Sequence, residues 1–77
     1  MTAVAILGLG ASGEAAARLA LHKGEEVYVS DLRTDAQTAA RAAHLTALGA
    51  HVEMGGHDVD RLAGAGTVVV SPGIPPD

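Results

Sequence analysis

A short apolar run that passes straight into Gly8-Leu9-Gly10-Ala11-Ser12-Gly13, and from there into an Ala/Leu-rich segment, leaves this chain few folds to choose from. Val4-Ala5-Ile6-Leu7 has the pattern of a strand covered on both faces in a parallel sheet. The glycines behind it are spaced G-x-G-x-x-G. The first permits a tight turn, the second lets backbone approach a diphosphate, and the third lets helix and strand pack closely. A helix opening at this point offers unpaired N–H groups and a partial positive charge to phosphate oxygens. Ser12 adds a hydroxyl donor. Taken alone, the motif is weak evidence, because glycines also serve turns and packing. Its setting between strand and helix, with an acid 23 positions after Gly8, favours the diphosphate reading.

The same six residues also have P-loop glycine spacing, but Glu14 stands where a P-loop needs Lys and Ala15 where it needs Ser or Thr. The P-loop lysine that meets the β- and γ-phosphates and the hydroxyl that holds magnesium are both missing, which argues against ATP as a ligand of this segment. Glu14 reads instead as a first-turn acid favourable to the helix dipole.

The rest of the chain alternates. A helix is expected from Gly13 to Lys23, with Ala16, Leu19 and Ala20 at helical spacing and Gly24 at its end. Val27-Tyr28-Val29 is a second strand with Asp31 at its carboxyl end. Thr34 and Gln37 fit a capping box for a second helix, with Ala39, Ala42, Leu45 and Leu48 on one side and Gly49 as its stop. His51–Met54 alternates like a strand near an edge. Asp58 is placed to cap a short helix carrying Val59 and Leu62, and Thr67–Val70 is a fourth strand. Ser71-Pro72-Gly73-Ile74-Pro75-Pro76 cannot extend it, because proline donates nothing to the ladder. Order β-α-β-α-β-α-β predicts an α/β, Rossmann-like parallel sheet of four strands in the order 3-2-1-4, incomplete at the strand-4 edge. Ligands of such sheets bind beyond the strands' carboxyl ends, where the order reverses, here between strands 1 and 4. The loops 8–13, 31–33 and 71–74 meet at that rim.

Composition narrows the function classes. With 77 residues the chain builds one core at most. It is 48% hydrophobic, with Tyr28 its sole aromatic, so Ala, Val, Leu and Ile fill that core. A net charge of −4 and the lack of any Lys/Arg cluster argue against nucleic acid or an anionic membrane as partners. No apolar run approaches the roughly 20 residues of a membrane helix. The start lacks the basic region of a signal peptide, so cytoplasm is the expected location. Cysteine is absent, and His22, His44, His51 and His57 show no metal-ligand spacing. No catalytic residue and no metal ligand is expected here.

Two further positions bear on ligands. An acid such as Asp31 binds ribose hydroxyls in NAD units, or simply forms a turn. Arg33 is unusual for strict NAD binding; it suits a 2′-phosphate, a flat base lying against its guanidinium, or a plain solvated surface. The Ser71–Ile74 turn is either a simple breaker or a stiff wall opposite the glycine loop.

Taken together, the glycine loop, Asp31-Leu32-Arg33, Gly55-Gly56-His57 and above all Val69-Val70-Ser71-Pro72-Gly73-Ile74-Pro75 resemble the N-terminal domain of the Mur ligase family, in its D-glutamate-adding branch. The resemblance covers essentially the whole chain, 1–77. It implies a domain that holds the uridine-diphosphate end of UDP-N-acetylmuramoyl-L-alanine for an ATP-dependent ligase of peptidoglycan precursor synthesis. By position, Gly10, Ala11, Ser12 and Gly13 would meet the diphosphate, Asp31 and Arg33 the uracil, and Ser71 and Gly73 the opposite wall. Leu32 departs from the hydroxyl residue common there. It further implies that ATP, Mg²⁺ and the D-glutamate-binding parts belong to the remainder of the ligase, which would pack against strand 4, and that this piece alone is not an enzyme and carries no cofactor. The competing expectation is an NAD(P)-binding Rossmann unit of a dehydrogenase or sensor protein, which leaves the Ser-Pro-Gly-Ile turn unexplained.

Overall fold

The computed structural model describes residues 2–71. Seven elements alternate: β1 (Val4–Leu7), α1 (Ala11–His22), β2 (Val27–Asp31), α2 (Ala36–Ala47), β3 (His51–Met54), α3 (Val59–Ala63) and β4 (Thr67–Val70). Every strand pairing is parallel, and the sheet order is β3-β2-β1-β4. Ile6 lies beside Val29 and Val69, and Leu7 beside Ser30 and Val70. The central strands therefore finish level, and the segments that follow them share one rim.

One face of the sheet carries the core. Ile6, Val27 and Val29 pack with Leu9 and Ala50 against Ala17 and Ala20 of α1 and Ala42 and Leu45 of α2. Alanines on the inner helix surfaces bring the helix axes close to the sheet. This displaces two residues from their expected places. Leu19 is 57% exposed, because the inner stripe of α1 is Gly13, Ala17 and Ala20. The bulkier leucine turns to the flank, where it lines a groove with Val4, Ala16 and Val69. Leu48, at the C-cap of α2, is likewise exposed.

The opposite face is organised by Tyr28, which is fully buried. Its hydroxyl donates to Glu53 Oε1 at 2.6 Å and accepts from the Asp58 amide at 2.7 Å. Its ring stacks on His51, with centroids 5.8 Å apart, and the Arg61 guanidinium lies 5.7 Å from the ring centre. Burial and the bond to Glu53 push the phenol above its ordinary pKa. Ala5 and Ser30 are also buried on this face, and it opens only toward β4, where Val68 and Val70 are exposed.

Helix ends follow the chain's turn chemistry. After α1, Gly24 takes φ +81°; its amide donates to Leu21 O, and the Glu25 amide to Ala20 O. Gly49 closes α2 in the same way, its amide donating to Thr46 O and the Ala50 amide to Leu45 O. These paired bonds satisfy carbonyls that a helix end otherwise leaves open. The start of α1 lies at Ala11, two residues earlier than its composition suggests. The capping box is corrected by the structure: Asp35, not Thr34, is the N-cap of α2, and its Oδ1 accepts from the Thr38 amide at 2.7 Å. The extended residue falls one position later, so Thr38 rather than Gln37 is the third helical residue. A carboxylate meeting the helix dipole is a stronger cap than a hydroxyl. The Thr34 methyl instead faces Gly55, 3.4 Å from where a Cβ there would stand.

Asp35→Ala should cost about 1 kcal/mol in chemical denaturation. Thr34→Ala should stay within about 0.5 kcal/mol of wild type. The reverse ranking would restore Thr34 as the cap.

Candidate functional site

The glycine bend is shaped by contacts on three sides. Gly8, at φ +102°, follows β1 and donates its amide to Ser30 O at 2.8 Å. A Cβ on Gly8 would come 2.8 Å from Ser71 O, so the end of β4 lies directly against the bend. A Cβ on Gly13 would come within 2.0 Å of Gly8 O, so α1 meets β1 without room for any side chain. Gly10, with nothing within 4 Å of such a Cβ, faces open space. It is the N-cap of α1 and supplies no side-chain acceptor. The amides of Ala11, Ser12 and Gly13 are the first three of the helix and have no acceptor within it. Ala11 and Ser12 are exposed at the rim.

β2 braces the bend from the other side. Leu9 is fully buried, and its amide donates to Asp31 Oδ2 at 2.7 Å. Arg33 folds back onto the same carboxylate: its amide reaches Oδ1 at 2.8 Å, Nε reaches Oδ1 at 3.1 Å and Nη2 reaches Oδ2 at 2.8 Å. Two carboxylate oxygens offer about four acceptor positions, and these four donors fill them. Arg33 side-chain hydrogen bonds hold the Asp31 carboxyl far below the usual carboxylate range. Burial opposes them, and the Arg33 and Leu9 amides add to the lowering. The Asp31 backbone carbonyl also accepts from the Gly55 amide at 2.7 Å, tying the end of β3 to the same point. Ser30, buried next to it, bonds His57 Nδ1 at 2.5 Å.

Comparison with known protein families matches residues 2–77 to the Mur ligase MurD-like, N-terminal domain. The chain belongs to that family. Among curated relatives, it is 46% identical over 76 residues to the UDP-N-acetylmuramoylalanine--D-glutamate ligase of Anaeromyxobacter dehalogenans, covering 96% of this chain and 16% of that protein. It is 45% identical over 76 residues to the ligase of the same name from Frankia casuarinae, covering 95% and 15%. It is 36% identical over 72 residues to that of Desulfatibacillum aliphaticivorans, covering 94% and 16%. The chain thus spans about one sixth of the length of these relatives.

Within this MurD-like domain, the sheet gathers most of the positions singled out from sequence. Gly10, Ala11, Ser12 and Gly13 open α1, Ser71 abuts Gly8, and Asp31 with Arg33 closes the third side. Gly73 lies outside the described residues. The exposed Leu32 has no hydroxyl to offer at the rim. The glycine bend does not fit an ATP-binding P-loop. Where the lysine would stand, Glu14 is held by Arg41 at 3.5 Å, His44 at 3.3 Å and Arg18 at 3.7 Å. That cluster links α1 to α2 through Arg41 and His44, and it leaves a carboxylate where a triphosphate site needs its lysine. Sequence reasoning assigned no role to the Leu9 amide, and it noted His57 only as part of Gly55-Gly56-His57, without its partner Ser30, 27 residues away. No local pattern marks either.

Gly13→Ala should destabilise the domain by roughly 3 kcal/mol or more, since only separation of α1 from β1 admits the methyl. Gly10→Ala should cost no more than about 1 kcal/mol, the difference between Gly and Ala at an N-cap. Thermal melts of the pair check this. For the carboxylate the sign is fixed by its lowered pKa: its contribution is complete above the unfolded value and is lost as pH falls through the native one. The stability gap between wild type and Asp31→Asn should therefore be widest near neutrality and shrink below about pH 4. A gap that widened on acidification would contradict the ionised Asp31 that its four donors call for.

Proposed function

We propose that this domain holds the uridine-diphosphate part of UDP-N-acetylmuramoyl-L-alanine. It does so as the N-terminal portion of a ligase that adds D-glutamate during peptidoglycan precursor synthesis in the cytoplasm. The observation that carries the reading is the uncapped start of α1. Its first three amides have no acceptor within the helix and no side-chain cap among the described residues, and the helix opens directly after β1, where the sheet order reverses. The names of the relatives supply the substrate class.

In this reading the amides of Ala11, Ser12 and Gly13, with Gly10 giving clearance, grip the diphosphate, and the Ser12 hydroxyl adds a donor. Arg33, with its side chain about half exposed, turns its planar guanidinium toward the uracil, and Asp31 lies beneath it. Ser71 and Gly73 form the facing wall. These contacts bind and orient; none touches the carboxyl that reacts. ATP and Mg²⁺ are supplied by the remainder of the ligase, since the glycine bend here does not suit them. That remainder also covers β4, whose exposed Val68 and Val70 leave apolar surface for it.

UDP should shift the amide resonances of Gly10–Gly13 and of the Asp31–Arg33 turn. In side-by-side calorimetry it should bind more tightly than NAD or NADP. Tighter binding of either dinucleotide would favour the dehydrogenase-type alternative. In the complete ligase, Arg33→Ala should raise KM for the UDP substrate more than it lowers kcat, because the contact is remote from the reacting carboxyl.

A further inference from the structure

The strand-2 acid of such a sheet is ordinarily assigned to the sugar or base of the ligand. The geometry here points elsewhere. We infer that Asp31 is a positioning residue for the diphosphate: through the Leu9 amide its carboxylate fixes the glycine bend in the shape that presents the Gly10–Gly13 amides. The inference rests on the diphosphate reading above and assigns Asp31 a role in it beyond contact with the uracil.

Three observations carry it. The Asp31–Leu9 contact, 2.7 Å long, is buried and joins residues 22 apart in sequence, so it is a tertiary tie and not a local turn. Leu9 is the residue between the first two glycines. Glycines flank it on both sides, and at Gly10 nothing crowds the backbone, so the peptide between Leu9 and Gly10 has alternative orientations that the Leu9 side chain alone does not exclude. The Gly8 amide, bound to Ser30 O, secures one end of the bend, and packing of Gly13 on Gly8 secures the other. Between them Leu9 is held at two points: its side chain is buried in the core, which anchors the residue, and Asp31 fixes the direction of its amide. A hydrogen bond to an ionised acceptor is among the stronger kinds, and a buried amide deprived of its partner carries an uncompensated desolvation cost that favours any orientation in which it finds another. The remaining acceptor positions of the carboxylate are occupied by Arg33. A base N–H reaches Asp31 only if Arg33 leaves, whereas the Leu9 tie needs no rearrangement.

The test uses inorganic pyrophosphate, uridine and UDP with wild type, Asp31→Ala, Asp31→Asn and Arg33→Ala, read by amide resonances, amide exchange and titration. Asparagine keeps an oxygen for the Leu9 amide but loses the acceptors Arg33 uses; alanine loses both. Asp31→Ala should speed Leu9 amide exchange and weaken pyrophosphate binding by roughly tenfold each, the scale of one charge-assisted hydrogen bond. Asp31→Asn should hold pyrophosphate affinity within about twofold of wild type, and Arg33→Ala should weaken uridine and UDP more than pyrophosphate. A folded Asp31→Ala protein that binds pyrophosphate as wild type does, losing only uridine and UDP, overturns the inference and returns Asp31 to base recognition. If the alanine variant does not fold, the asparagine variant decides: loss of Leu9 protection with full pyrophosphate affinity overturns the inference. If wild type binds neither UDP nor pyrophosphate, the functional reading fails separately. The Gly10–Gly13 resonances of unliganded Asp31→Ala then judge the tie, and resonances that do not move overturn it.

Discussion

No atom larger than hydrogen fits between the α-carbon of Gly13 and the carbonyl of Gly8, and the fold is arranged around that contact. It sets the distance from α1 to β1. At that distance only small residues fit beneath the helix, so the inner stripe of α1 continues through Ala17 and Ala20. Larger side chains fill the space further out, as Leu9 and Leu45 do. The same closeness brings the start of α1 to the end of β1, next to the bend that touches Ser71 through Gly8 and Asp31 through the Leu9 amide. Packing and binding geometry are thus one constraint, met by the same two glycines.

Much of this was legible in the sequence because it depends on neighbours in the chain. Continuous apolar runs, glycines at helix ends and the strict alternation of elements fix the strand order without reference to any distant contact. The glycine motif likewise placed the start of α1 at the rim. What sequence reasoning missed depends on three-dimensional crowding. Leu19 fits a helical stripe on paper, yet the close approach of α1 turns it outward. Thr34 and Gln37 satisfy the spacing of a capping box, but the turn after β2 runs one residue longer and gives the cap to Asp35. In the candidate site, the residue types were legible and their partners were not. Asp31 stood out as an acid after a strand, but nothing local to it reveals that Leu9, Arg33 and Gly55 all converge on it.

The two faces of the sheet also differ in what they ask of side chains. Beneath α1 and α2 the contacts are aliphatic, and shape alone matters. Around Tyr28, burial is bought with hydrogen bonds: its hydroxyl is satisfied on both sides, by Glu53 and by the Asp58 amide. That arrangement pins the short α3 to the sheet although none of its residues is buried. A single aromatic ring substitutes for the apolar face that a five-residue helix is too short to provide.

Among the described residues, β4 is paired along one side only, while β1 has a neighbour on each. Three of its four residues are exposed. Opening β4 therefore gives up one ladder and little apolar contact, whereas opening β1 dismantles the sheet. Ser71 rides on β4, donating its amide to Leu7 O. Among the described residues, the segment that abuts the glycine bend is thus carried by the sheet's least buried strand, whereas the bend itself follows one enclosed by a neighbour on each side.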